Sequence, residues 1–251
     1  MSGLAIGGLA VIGACVGSFL NVVADRLPER KSLIRPASHC PACGRRLSPL
    51  ELIPVVSWLA LRGRCRHCRT PIPLRVPLVE ALTAGIFVAT AWLVSPWQRA
   101  TLSLLYASLL IVIAVIDFEH HLVPNRLVYP GLLLALAGAF VPVPPEPLSA
   151  LAGGAIAFGT LFAIAALSPG GMGMGDVKLA AFVGLSLGFP LAVPIVLLAF
   201  VSGGLVGGLL LMTKRARPGD AVPFGPFLAL AGVLGLLLGD RLLISWLGRV
   251  G

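Results

Sequence analysis

Apolar runs of membrane-spanning length recur eight times along this chain, and that recurrence limits its fold more than any other feature. A spanning helix needs about 20 apolar residues. The runs cover roughly 3–24, 76–95, 99–117, 126–142, 148–167, 176–190, 191–212 and 223–247. Of the 251 residues, 57% are hydrophobic and only 12% charged, well below the ~25% charge of a soluble domain. The chain cannot cover a water-facing surface of its own size. The pattern predicts an all-α polytopic membrane protein with about eight transmembrane helices. Backbone polar groups in lipid must be satisfied within each segment, and helices do this.

Charge orients the segments. Eleven of the 19 Lys and Arg lie between Arg26 and Arg75, where the only acids besides Asp25 are Glu29 and Glu51. A basic patch can bind nucleic acid. Beside a spanning helix, however, it reads as the positive-inside signal of a cytoplasmic loop, and no nucleic-acid partner is expected. Residues 3–24 have no charged region before the apolar run, so they read as an anchor with its N-terminus outside rather than a cleaved signal. The inside segments then become 25–75, 118–125, 168–177 and 213–221. Lys214, Arg215 and Arg217 fall inside, while Arg99 and Arg249 fall outside. The expected organisation is a first helix at 1–24, a cytoplasmic zinc-binding insert at 25–75 and a membrane domain at 76–251. Paired glycines at Gly203-Gly204 and Gly207-Gly208 suggest close helix contact.

Four of the five cysteines form two pairs, Cys40-Pro-Ala-Cys43 and Cys65-Arg-His-Cys68, with 21 residues between them. In a reducing compartment such pairs favour metal over disulfides. Two CxxC turns complete a tetrahedron, so Cys40, Cys43, Cys65 and Cys68 read as a closed, structural zinc site. A redox role is the alternative for the pairs, and His39 and His67 are alternative ligands. Cys15, within the first apolar run, reads as packing.

Two aspartates stand where they need a reason. Asp117 closes the third apolar run, and Asp176 follows Gly171-Met-Gly173-Met-Gly175. On the topology drawn from length and charge, both reach the same face. Two neighbouring carboxylates cannot both ionise easily, so one holds a proton while the other activates water. Together they would make an aspartic protease site at the membrane surface. The glycines before Asp176 leave room for an extended peptide, which makes Gly173 and Gly175, with Lys178, candidate substrate-binding residues. His120 and His121 point different ways on a helix and suit a shared ligand poorly.

The residues around these features resemble the bacterial type IV prepilin peptidases, the leader peptidase/N-methyltransferases. The resemblance runs through Gly17-Ser-Phe-Leu-Asn-Val-Val23, Arg26-Leu-Pro28, Glu51-Leu-Ile-Pro54, Ser57-Trp58, Leu61-Arg-Gly-Arg-Cys-Arg66 and Pro77-Leu-Val-Glu80. It continues through Ile116-Asp117, Leu122-Val-Pro124, and Gly173-Met-Gly-Asp176 with Lys178. It implies a GxGD-type aspartic protease of the bacterial inner membrane, with Asp117 and Asp176 as the dyad on the cytoplasmic side. The implied substrates are prepilins and pseudopilins, whose basic leader precedes an apolar helix, reached through membrane lipid. The cysteine insert accompanies the form that also methylates the new N-terminal residue, which implies S-adenosylmethionine as donor. The chain has no G-x-G-x-x-G after a strand to place that donor. Asn125 stands where the family often has Asp, which favours Asp117 as the catalytic member. Glu51, Glu80 and Glu119 are candidate counter-charges to a basic leader. The competing readings are a metal-sensing transporter, with the aspartates as ion ligands, and an assembly scaffold docking through the cysteine loop. Transport calls for polar residues deep in several helices, and the apolar runs here are mostly Ala, Leu, Val and Gly.

Overall fold

The computed structural model describes residues 3–167, 172–214 and 223–247. Gly171, the break at Ser168-Pro169-Gly170, Arg215, Arg217 and Arg249 lie outside the described residues. Among the described residues there is no strand. Nine α-helices run in the order α1 (Gly3–Arg26), α2 (Val56–Ala60), α3 (Arg75–Leu93), α4 (Trp97–His120), α5 (Asn125–Gly138), α6 (Pro147–Leu167), α7 (Met174–Leu187), α8 (Ala192–Met212) and α9 (Gly225–Leu247). Each of the eight apolar runs forms one helix, and the short α2 belongs to the polar loop. Five of them, α1, α3, α4, α6 and α8, are long and apolar enough to cross a membrane. The 14-residue α5 and α7 rise only about 21 Å each, against a hydrocarbon core of about 30 Å. In α9 the apolar stretch is Gly225–Gly239.

The chain forms two compact units, Met1–Trp92 and Leu93–Gly251. In the first, α1 lies close against α3. A Cβ on Gly13 would meet the Cα of Ala84 at 2.8 Å, and one on Gly17 would meet the Cα of Glu80 at 2.7 Å. Polar ties hold the ends of this pair. Asn21 Nδ2 donates to the Val76 carbonyl at 3.0 Å, and Arg75 Nη2 bonds Asp25 Oδ1 at 2.6 Å. Cys15 is exposed on α1 rather than packed, so the packing expected from sequence is not made.

In the second unit, α4 supplies the centre. Leu110, Ile113 and Ile116 are fully buried, together with Phe182, Leu179 and Val183 of α7 and Leu228 of α9. Tyr106 of α4 meets Phe182 edge-on, with ring centroids 5.8 Å apart. The tightest helix approach is between α6 and α7, where Gly153 faces the Gly184 carbonyl and a side chain on either glycine has no room. Of the glycines singled out on α8, Gly203 packs on Phe227, which a Cβ would meet at 3.4 Å, while Gly204, Gly207 and Gly208 face open space. Abundance of glycine marks where contact is permitted, but the facing helix decides where it happens. The α6–α7 contact holds the C-terminal turns of α7, while Gly175 at its start packs on Val123.

Candidate active site and metal centre

The cysteine loop folds as two copies of one small turn. In the first, Cys40 N–H donates to the Arg45 carbonyl and Gly44 N–H to the Cys40 carbonyl, each at 2.9 Å. In the second, Cys65 N–H donates to the Thr70 carbonyl at 2.9 Å and Arg69 N–H to the Cys65 carbonyl at 3.1 Å. Isolated bridges close both turns, His39 with Arg46 and Arg64 with Pro71. The residue after each second cysteine takes a left-handed conformation, Gly44 at φ +68° and Arg69 at φ +59°. The turns bring all four sulfurs within 4.8 Å of one another, a cluster able to hold a metal ion. His39 and His67 are exposed, and His39 Nδ1 bonds the Ala37 carbonyl. Neither joins the cluster among the described residues.

Two acids of this unit have internal partners. Ser48 N–H and Oγ–H both donate to Glu51 Oε2, at 2.8 and 2.7 Å. The two bonds hold the Glu51 carboxyl below the usual carboxylate range. Glu80 is only 4% exposed and accepts the Val55 N–H at 2.7 Å. Val55 sits at φ +61°, a strained position for a β-branched residue. Glu80 therefore ties the start of α2 to α3, and the counter-charge role considered for Glu51 and Glu80 has these structural bonds against it.

The second unit assembles its site from four chain segments. Asp117 lies in the last turn of α4 and is buried, with 5% exposure. Helix α4 ends immediately after it, because His121 turns left-handed and its N–H bonds the Asp117 carbonyl. Asp176 lies in the first turn of α7, capped by Gly173. The two carboxylates are close enough for the charge of one to act on the other. Gly175 packs against the connection between α4 and α5, where a Cβ would meet Val123 Cβ at 2.7 Å. Lys178 Nζ donates to Asn125 Oδ1 at 3.0 Å and to Tyr129 Oη at 3.1 Å on α5, and lies 5.1 Å from the centre of the Tyr129 ring. Gly225, the first residue of α9, donates its N–H to Asp117 Oδ2 at 3.0 Å. The Gly173 backbone bonds the Asp176 carboxyl, and Asp176 Oδ1 is buried with no hydrogen-bond partner among the described residues. Gly173 is exposed beside it.

The segments that carry the cysteine cluster and the two aspartates both match models of known families. The model of the bacterial peptidase A24 N-terminal domain matches residues 11–94, and that of the type IV leader peptidase family matches residues 104–208. A prepilin leader peptidase/N-methyltransferase of Pseudomonas putida is 37% identical over 269 residues, covering 96% of this chain and 93% of its own. The chain belongs to the type IV leader peptidase family. Proteins of the same description from Aeromonas hydrophila and Pseudomonas aeruginosa are 38% and 36% identical, covering 90% and 96% of this chain and 88% and 93% of their own. No solved structure matches.

Within this leader peptidase family member, sequence reasoning singled out Asp117, Asp176 and the four cysteines as candidates, but gave no sign of the contacts made by Gly225, Tyr129 and Asn125. Pro223-Phe-Gly225-Pro226 stands at the start of an apolar run, a signal for a helix start but not for what that start faces. Gly175 and Lys178, read as candidate substrate contacts, also have partners inside the protein.

Proposed function

We propose that this membrane protein removes the leader from prepilins and pseudopilins and then methylates the new N-terminal residue, with Asp117 and Asp176 as the catalytic pair. The observation that carries the reading is that those two carboxylates, 59 positions apart in sequence, lie close enough at one end of a helical unit for the charge of one to act on the other. The pair shares one proton. The ionised member takes a proton from water, whose oxygen adds to the scissile carbonyl carbon. The protonated member gives its proton to the carbonyl oxygen. As the C–N bond breaks, the proton taken from water passes to the leaving amine, and the second carboxyl recovers its own. The exposed Gly173 backbone receives the extended peptide, while Gly175 and Lys178 hold α7 against α5 and its preceding loop. Segments 118–125 and 172–176 with the start of α9 share this end, which supports a common cytoplasmic side for the site.

The four cysteines hold structural zinc. Zn–S bonds of about 2.3 Å put tetrahedral sulfurs about 3.8 Å apart, and the Cys40 and Cys68 sulfurs are 3.7 Å apart. Four thiolates leave no open position for water, so the metal organises the loop and does no chemistry. S-adenosylmethionine would supply the methyl group to the freed amine. Among the described residues, one cavity is lined by Arg99, Tyr106 and mostly apolar neighbours and another by Ser38, Arg46 and Ser48. Neither presents a carboxylate to a ribose or an amino group, so neither fits the donor, and no step is routed through it.

The test is cleavage of a leader-bearing pilin precursor in membranes holding wild-type, Asp117→Ala or Asp176→Ala protein at matched expression. Loss of cleavage in both variants, with the protein still inserted, supports the pair. Retained cleavage in either removes that aspartate from the mechanism.

A further inference from the structure

We infer that Gly225 is a positioning residue for Asp117: its backbone amide holds Asp117 as the ionised member of the pair, leaving the shared proton on Asp176. The inference rests on the catalytic pair proposed above and adds a division of labour between its members.

The environments of the two carboxyls differ in one decisive respect. Asp117 is buried, and its Oδ2 has a donor, the Gly225 N–H at 3.0 Å. Asp176 has the Gly173 backbone as a hydrogen-bond partner, beside Oδ2, but its buried Oδ1 has no donor among the described residues. A buried anionic oxygen without a donor is costly. A protonated Oδ1 avoids that cost, because the oxygen then carries a hydrogen to offer instead of a charge to be satisfied. The charge belongs on the carboxyl that leaves no buried oxygen without a donor.

Helix ends pull the other way. Asp176 occupies the first turn of α7, where the dipole favours an anion, and Asp117 lies in the last turn of α4, where it does not. The magnitudes decide between them. A helix-end effect shifts proton occupancy about two- to fivefold. A direct hydrogen bond to a charged group shifts it about tenfold to a hundredfold. The start of α9 also brings its own positive end to Asp117 and offsets α4. Of the other titratable groups, His121 at the end of α4 acts on Asp117; the segments around the pair also carry Glu119 and His120 on α4, Arg126 and Tyr129 on α5, and Lys178 on α7, which bonds Tyr129. The described turns of α9 up to Gly239 contain none.

Glycine is required at the contact. A Cβ on residue 225 would stand 2.6 Å from Asp117 Oδ2 and 3.0 Å from its Cγ. A side chain there must push the carboxylate away from the amide or move the start of α9. In the cleavage reaction this assigns Asp117 to take the proton from water and Asp176 to protonate the carbonyl oxygen.

The experiment measures kcat and KM against pH for cleavage of a leader-bearing pilin precursor by full-length protein in membranes. Gly225→Ala is expected to lower kcat about tenfold to a hundredfold with KM little changed, and to move the acid limb of the kcat profile toward neutral pH. A purely structural role would lower kcat without moving that limb, and that result overturns the inference. A second arm leaves Gly225 in place and decides the matter if Gly225→Ala does not insert. Asparagine at 176 still offers a hydrogen to the carbonyl oxygen, so Asp176→Asn should retain measurable cleavage without an alkaline limb, while Asp117→Asn should retain none. Equal loss in the two asparagine variants, or the reverse order, overturns the proton assignment. Full activity of Asp117→Ala or Asp176→Ala would instead sink the catalytic pair itself, a separate failure.

Discussion

The two cysteine turns differ at one position in a way that can be measured. Gly44 and Arg69 are equivalent, each following the second cysteine of its pair, and both are left-handed, at φ +68° and +59°. Glycine adopts that conformation freely, whereas a residue with a side chain loses about 1–2 kcal/mol there. Arg69→Gly should recover that strain, less the ~0.5–1 kcal/mol that glycine's extra freedom stabilises the unfolded loop. The net gain is about 0.5–1 kcal/mol. Because metal binding and loop folding are one equilibrium, the gain appears as a two- to fivefold rise in metal affinity. Gly44→Ala should do the opposite by the same balance, at about 0.5–1 kcal/mol net, or roughly two- to fivefold weaker binding. The assay is competition for zinc between detergent-solubilised full-length protein and a chromophoric chelator. Easier zinc loss from Arg69→Gly than from wild type, or an unchanged Gly44→Ala, would refute the claim that backbone strain separates the two turns.

Other expectations follow from single contacts. Glu80→Ala leaves the Val55 N–H without its charged acceptor and should cost about 1.5–3 kcal/mol, read as a lower midpoint of thermal unfolding in detergent, with Glu80→Gln milder because it keeps an acceptor oxygen. Gly184→Leu has no room against Gly153; it should separate α6 from α7, displace Asp176 and abolish precursor cleavage while leaving zinc content at the wild-type level. Glu51 is held below its ordinary value of about 4.3 by the two Ser48 donors. Its contribution is therefore present above that pH and lost as the pH falls through the lower folded value. Limited proteolysis of wild type and Glu51→Gln should show the variant's loop cut faster at neutral pH, the difference closing under acid; a gap that persists at the lowest pH would contradict this.

Much of the architecture was legible in the chain because the signals are local. Twenty apolar residues in a row specify a helix wherever the rest of the protein lies, and each of the eight runs became one. Two CxxC pairs carry their own turn geometry, so the cluster followed from spacing. Asp117 and Asp176 stood out because a carboxylate beside an apolar run is costly wherever it sits. Length also set a limit: α5 and α7 came out shorter than the runs that announced them, since Pro-rich and Gly-rich connections end helices before apolar composition ends.

The remainder depends on which surfaces meet. The amide of Gly225 reaches Asp117 across 108 positions, Glu80 reaches Val55 across 25, and Lys178 reaches Asn125 across 53. Nothing in a local window distinguishes those partners from the alternatives. The same holds for glycine: α8 is as rich in it as α6 and α7, yet only Gly153 and Gly184 meet face to face. The sequence by itself determined the helices, the metal-binding turns and the two carboxylates, because each is set by residues within one or two turns of chain. That the carboxylates come within range of each other's charge, and that one of them keeps a buried oxygen without a donor among the described residues, depends on how separate helices pack.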